Sequence, residues 1–254
     1  MSNDTSEREK IHWVPLESNP DVMNSWAAAA GLVTSEYQFS DVFGLDEELL
    51  AMVPQPVKAV VLLFPVTEVI ERKRIDEDTH IAEHGQHPID PDVIWIKQTI
   101  GNACGAMGLL HAIINSDAKI VPDSPFDKFI KECRGKIPLE RARLLETTPL
   151  FSKIHAAAAS EGQTTAPAAD AEVEFHFTCF IAAPDPEQLA SNVNDPTRGS
   201  KRLIELDGDR NGPIDRGACT SLLHSAARVI KENYVETGSR VHFSMIALAP
   251  PPDL

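Results

Sequence analysis

Apolar residues in this chain gather into short runs whose spacing separates strands from helices. Residues 58–66, KAVVLLFPV, are apolar on both faces over one strand's length, which predicts a central strand covered by helices on each side. Residues 173–183, VEFHFTCFIAA, alternate instead: Val173, Phe175, Phe177, Cys179 and Ile181 share one face, and Glu174, His176, Thr178 and Phe180 share the other. That puts His176 on the more polar face and Cys179 on the core face. DVIWIK (92–97) predicts another strand, RLIEL a strand ending at Asp207-Gly208, and RVHFSMIALA a final one.

Helical periodicity fills the intervals. Asn19 or Ser18 can cap a helix starting near Pro20, with Met23, Trp26, Ala27 and Ala30 as its apolar stripe and Gly31 as its stop. Asp46 starts a short helix in DEELLAMVP, and SPFDKFIKECRG, LERARLLETTPLF and CTSLLHSAARVIKENYV read as amphipathic helices, the last capped by Thr220 or Ser221. Two stretches break the pattern. SKIHAAAASEGQTTAPAAD (152–170) offers little to bury and predicts a mobile surface loop, and 184–201 is a polar, turn-rich insertion. The elements predict one α/β (α+β) domain over 1–254.

Composition narrows the function classes. A net charge of −15 and a pI near 5.0 argue against nucleic acid as a partner and suit either a basic partner or solubility alone. No apolar run approaches the ~20 residues that span a bilayer, and the polar start MSNDTSEREK lacks the apolar core of a signal peptide, so no membrane partner is expected. Four scattered cysteines form no CxxC pair, which speaks against a zinc site or disulfide framework and for a reducing compartment, cytoplasmic or also nuclear. His80, His84 and His87 are spaced for a metal, yet a solvated helix end accounts for them without one, and no metal or cofactor is expected.

The chemistry concentrates in QTIGNACGAMGLLHAII (98–114). Asn102 is a suitable N-cap, which would set Cys104 about two residues inside a helix start, where the macrodipole favours an anion. Gly101, Gly105 and Gly108 each cost on the order of 1 kcal/mol in a helix, so something needs their space: a substrate backbone or close packing on the sheet. If 173–183 pairs antiparallel with 202–207, residue 176 falls opposite about 209 and Asp207 becomes a diagonal neighbour of His176. The carboxylate would hold one ring nitrogen and leave the other for Cys104, an arrangement that activates a sulfur nucleophile. Gln98 carries a carboxamide able to donate to a developing oxyanion beside the Cys104 amide. A core cysteine and an unrelated sheet histidine remain the alternative at this point. Cys179 reads as a core residue, Cys133 and Cys219 as spectators, and His111 as a satisfied core histidine.

QTIGNACGAMGLLHAI, VEFHF and IELDG in this order resemble the ubiquitin C-terminal hydrolases, the UCH family of cysteine proteases. WVPLESNPDVMN, DVFGLDEELLAMVPQPVKAVVLLFP, ERARLLE, HAAAASEGQTTAP and a late IAL extend the likeness over most of the chain, closest to the small single-domain members. The resemblance implies a mostly antiparallel six-stranded sheet between helices with a knotted, papain-like thread. It implies Cys104 as nucleophile, His176 as general base, Asp207 as its orienter and Gln98 as oxyanion donor. Loop 152–170 matches the crossover loop that limits leaving-group size, Pro15 and Leu16 match the arm that touches ubiquitin, and Asn102 and Phe175 match residues flanking the channel for its Gly-Gly tail. The insertion 184–201 departs from the tight turn of small members. The expected activity is thiol hydrolysis at the C-terminal glycine of ubiquitin by a monomer; the alternatives are a ubiquitin-binding module with an idle triad, or the same chemistry on a ubiquitin-like protein.

Overall fold

A computed structural model describes residues 11–164, 167–171, 173–189, 199–236 and 242–252. In chain order its elements are α1 (Pro20–Ala30), β1 (Gln38–Val42), α2 (Glu47–Leu50), β2 (Ala59–Pro65), α3 (Glu68–His84), α4 (Cys104–Ile114), α5 (Pro125–Cys133), α6 (Pro138–Glu146), α7 (Pro149–Ala159), β3 (Phe175–Pro184), α8 (Pro186–Leu189), β4 (Lys201–Leu206), β5 (Ile214–Cys219), α9 (Leu222–Ile230) and β6 (Ser244–Ala249), with a π-helical turn at Lys231–Val235. The strands form one sheet in the order β1-β6-β2-β3-β4-β5, and every ladder is antiparallel.

β2 sits near the middle of the sheet and feeds both faces, as its doubly apolar sequence requires. Val61 joins Phe177, Cys179 and Ile181 of β3 in a core roofed by α1, α4 and α5–α7, where Met23, Trp26, Phe126 and Phe151 are fully buried. Val60, Leu62 and Phe64 face the other way, onto Leu223, Ala226 and Ile230 of α9. Asn19 caps α1 with its side chain on the Asp21 amide, and Gly31 ends the helix with φ +119.

The glycines of α4 serve packing on the sheet and the N-terminal arm. A Cβ on Gly105 would lie 2.8 Å from Leu16 Cβ and 3.3 Å from Phe177, and one on Gly108 would lie 3.2 Å from Val61. Gly101 is pressed against His12 in the same way, and the arm pairs with it through Trp13 N–H to Gly101 O and Gly101 N–H to Ile11 O.

The structure corrects several expectations. Residues 92–97 join no ladder. Their polar groups go elsewhere: Ile94 pairs with the Asn115 carboxamide, the Ile96 amide donates to His111 Nε2, and the Trp95 carbonyl accepts from Arg141. Most of the first half of 152–170 is helix, because α7 runs to Ala159. Alanine is the best helix former, and Phe151, Ile154 and Ala158 supply the buried stripe. β1 and β5 carried too little alternation to be seen; β5 buries only its end residues, Ile214 and Cys219. Within the insertion, Pro184 pairs with Lys201 and α8 opens it, while 190–198 lie outside the described residues.

Gly105→Ala should lower stability by about 1–3 kcal/mol through overpacking against Leu16 and Phe177. Gly212→Ala, with open space around it, should be neutral or slightly stabilising. Urea unfolding of the two variants checks this, and equal midpoints would show that the glycines of α4 are not holding the helix on the sheet.

Candidate active site

Cys104 is the first residue of α4, capped by Ala103 without any side-chain bond. Asn102 is therefore not the N-cap. It takes a left-handed φ of 56 and donates its Nδ2 to the carbonyls of Ala169 and Ala171 at 2.8 and 2.9 Å. The first-turn amides of α4 are left without a capping side chain, and the positive end of the helix acts on the cysteine itself.

His176 and Asp207 meet at the end of the β3–β4 ladder. The ladder pairs Cys179 with Leu206, so its register carried on sets His176 opposite Asp209 and Asp207 on the diagonal. His176 Nε2 lies 2.7 Å from Asp207 Oδ1, which leaves its other ring nitrogen for Cys104, whose sulfur is near enough to act on the ring's charge. Phe64 stands edge-on to the imidazole at 5.7 Å. Burial by itself would lower the His176 pKa. The Asp207 charge, its hydrogen bond and the Cys104 sulfur outweigh that and push it up to about 10. Asp207 is 1% exposed; burial would raise its pKa, but His176, Arg74 and the Asp209 amide hold it well below the ordinary carboxylate value. The imidazolium–carboxylate pair is the resting form, so both ring N–H groups donate, one to Asp207 and the other toward the Cys104 sulfur.

The Asp207 carboxylate is saturated. Oδ1 also accepts from the Asp209 amide at 2.9 Å, and Oδ2 accepts from the Arg74 guanidinium. Sequence reasoning missed Arg74, which sits on the charged helix α3 and is 7% exposed there. The available signal was faint: Ile70, Arg74 and Glu77 share one face of α3 at i, i+4 and i+7. Glu71 holds Arg74 from the same helix, and its guanidinium lies over Phe64, 5.6 Å from the ring centroid. One turn further on, Glu77 and Asp78 grip Arg210, Glu77 also binds Arg216, and Arg216 reaches the fully buried Glu205, which accepts from Tyr234 and Thr178.

Gln98 lies beside this aspartate. Its backbone N–H donates to Gly208 O at 2.8 Å, and its Oε1 is buried with no partner among the described residues. Cys104 opens on an apolar groove of about 540 Å³ that is also lined by Pro15, Leu16, Phe175, Phe177 and Phe243. The structure thus gathers Cys104, His176 and Asp207 at one site and sets Pro15, Leu16 and Phe175 along the groove. Asn102 instead anchors the loop near Ala169. That loop is held a second time where Glu17 accepts from the Thr164 N–H and hydroxyl at 3.2 and 3.1 Å. His80 and His84 stack at the surface, 4.4 Å apart, while His87 pairs with Asp185. His111 is fully buried, and desolvation lowers its pKa to about 4.

The family described as "Ubiquitin carboxyl-terminal hydrolase, family 1" matches residues 13–235. "Ubiquitin carboxyl-terminal hydrolase 3" of Arabidopsis thaliana is 38% identical over 98% of this chain and 99% of its own length. A "Probable ubiquitin carboxyl-terminal hydrolase" of Dictyostelium discoideum is 32% identical over 95% of this chain and 89% of its own. Among solved structures, the Trichinella spiralis UCH37 catalytic domain bound to ubiquitin vinyl methyl ester superposes with a TM-score of 0.66 at 22% identity, covering 93% of this chain and 95% of that one, a likeness of fold.

A raised His176 pKa makes stability pH-dependent. The folded ring binds its proton more tightly than the unfolded ring, whose pKa is about 6.5, so its contribution is complete below that value and is lost as pH rises through about 10. The melting-temperature advantage of the wild type over His176→Gln should therefore be greatest near neutral pH and shrink toward alkaline pH. A difference that stays flat across that window would contradict the ion pair.

Proposed function

The chain belongs to family 1 of the ubiquitin carboxyl-terminal hydrolases, and from that premise we propose that it cleaves amide and ester bonds at the C-terminal glycine of ubiquitin with Cys104 as nucleophile. What supports this above all is that Asp207 holds one nitrogen of His176 at 2.7 Å while the Cys104 sulfur bears on the charge of the same ring. Cys104, having given its proton to His176, attacks the glycine carbonyl, and the charge forming on its oxygen meets the Cys104 amide and the Gln98 carboxamide. The imidazolium then protonates the leaving group, an acyl-enzyme forms, and water activated by the neutral ring releases the glycine carboxylate. Arg74 keeps the Asp207 carboxylate ionised and fixed, so the ring turns neither away from the sulfur nor into the wrong tautomer.

The groove beside Cys104 is apolar and runs under the N-terminal arm, which suits an extended, side-chain-poor tail ending in Gly-Gly. The loop tied down by Asn102 and Glu17 on either side limits what hangs beyond the scissile bond, and favours small or unfolded leaving groups. A binding module with an idle triad would have no use for an imidazole held as a cation on the side of the sulfur.

Turnover of a fluorogenic ubiquitin C-terminal amide tests the proposal, and a tail-matched ubiquitin-like substrate in parallel separates preference between the two. Cys104→Ala should abolish turnover while ubiquitin binding persists, and His176→Ala should lower kcat by about 10²–10⁴-fold. Asp207→Asn should be milder. Wild-type protein that binds ubiquitin without turnover, or undiminished turnover by Cys104→Ala, would overturn the assignment. Arg74→Met should lower kcat about 10-fold or more with little change in KM, since it acts only through Asp207.

A further inference from the structure

Although the chain carries 38 acidic and 23 basic residues, six basic residues stand against two acidic ones between Lys128 and Arg143. This segment is the rest of α5 after Asp127, which pairs with Lys131, together with the turn at Gly135 and the first part of α6. Elsewhere Arg74, Arg202, Arg210, Arg216 and Arg228 each meet a carboxylate. Arg134 and Arg141 make no ion pair among the described residues, and Arg134 repels neighbouring Lys131. Arg141 is half-buried and fixed by two neutral acceptors, with Nη1 on the Trp95 carbonyl at 2.9 Å and Nε on the Cys133 carbonyl at 3.3 Å. Burial lowers its pKa, offset only in part by the Cys133 thiol, so an anion beside it would relieve a standing penalty.

A groove of about 490 Å³ opens beside this arginine, between residues 91–94, the C-terminal end of α4, α5 and the turn. Ile94, Ile114 and Ile130 give it an apolar surface, Arg134 and Arg141 its positive charge, and exposed Asp92 a single negative one. A Cβ on Gly135 would meet nothing within 4 Å, so the turn leaves the groove open. We propose that this groove docks an acidic peptide segment of a partner protein, with one aliphatic or aromatic side chain on the three isoleucines and a carboxylate on Arg141 and Arg134. A short acidic segment is favoured over a long polyanion because the remainder of this chain is strongly negative and would repel charge extending beyond the groove. Cys104 and Ile114 are the two ends of α4, about 15 Å apart at 1.5 Å per residue, so an occupant leaves the Cys104 groove free and would tether a client or scaffold beside it.

Fluorescence anisotropy with a labelled Asp-Glu-Leu-Asp-Glu-Phe peptide at low salt tests this on the full chain. Saturable binding is expected, weakened about tenfold when serine replaces Leu and Phe in the probe, and weakened by added salt. Arg134→Glu should weaken it at least about fivefold while hydrolysis of the ubiquitin amide stays at the wild-type rate, and Arg141→Gln should weaken it about tenfold. Thermal melting reports whether Arg141→Gln remains folded; if it does not, Arg134→Glu decides alone. The proposal is overturned if no saturation appears up to millimolar probe, if the serine probe binds equally, or if Arg134→Glu binds as the wild type does. It is equally overturned if an RNA oligomer or anionic vesicles displace the peptide at lower concentration than unlabelled peptide does.

Discussion

The buried carboxylate of Asp207 is the constraint around which the site is built. A lone carboxylate taken out of water costs several kcal/mol or neutralises itself by taking up a proton. Here neither happens, because His176 and the Asp209 amide bind one oxygen and Arg74 binds the other. Each partner arrives from a different piece of chain: β3, the turn after β4, and α3. The carboxylate therefore ties three elements together and, in the same contacts, makes the imidazole a cation aimed at the sulfur. Loss of any one partner would leave the others holding an under-compensated charge, so orientation and ionisation of His176 are not separable properties.

Cys104 is fixed by a different kind of force. α4 approaches the N-terminal arm and the sheet so closely that a methyl on Gly105 would collide with Leu16 and crowd Phe177, and one on Gly108 would crowd Val61. Packing of that density leaves the first turn little freedom, and Phe177 is the neighbour of His176 on β3. The two reacting side chains are thus set by one contact surface, α4 on β3, with apolar packing deciding distance and ion pairing deciding angle. The glycines cost helix stability locally and gain a sulfur held at a reproducible depth.

Much of this was legible in the sequence because it follows from periodicity. The alternation in 173–183 fixed which side of β3 carries His176, and antiparallel pairing with 202–207 placed Asp207 on its diagonal, in agreement with the Cys179–Leu206 register. What escaped was whatever depends on partners distant in sequence. Arg74 looked like one more charge on a polar helix, and only the fold reveals the aspartate opposite it. Residues 92–97 had the composition of a strand but found their partners in Asn115, His111 and Arg141. Asn102 had the right side chain for a cap, yet its left-handed backbone turned that side chain onto the loop carbonyls of Ala169 and Ala171. α7 was lost for the opposite reason, since a run of alanines has little side chain to show a stripe.

The same turn that carries Asp207 also positions Gln98. Trp95 Nε1 donates to the Asp207 carbonyl, Lys97 Nζ to the carbonyls of Asp209 and Arg210, and the Gln98 amide to Gly208 O. Gly208 is needed for proximity rather than for an unusual φ: a Cβ there would come 2.9 Å from Gln98 Cβ and 3.1 Å from its backbone nitrogen. The segment that leads into α4 is thereby zipped residue by residue onto the turn that follows β4. A group meant to meet an oxyanion and a group meant to orient the base share one short piece of backbone, so any displacement of the turn moves both together. Residues 92–97 stay outside the sheet with their donors taken on two sides, the Ile94 and Ile96 amides by Asn115 and His111 and the Trp95 and Lys97 side chains by this turn.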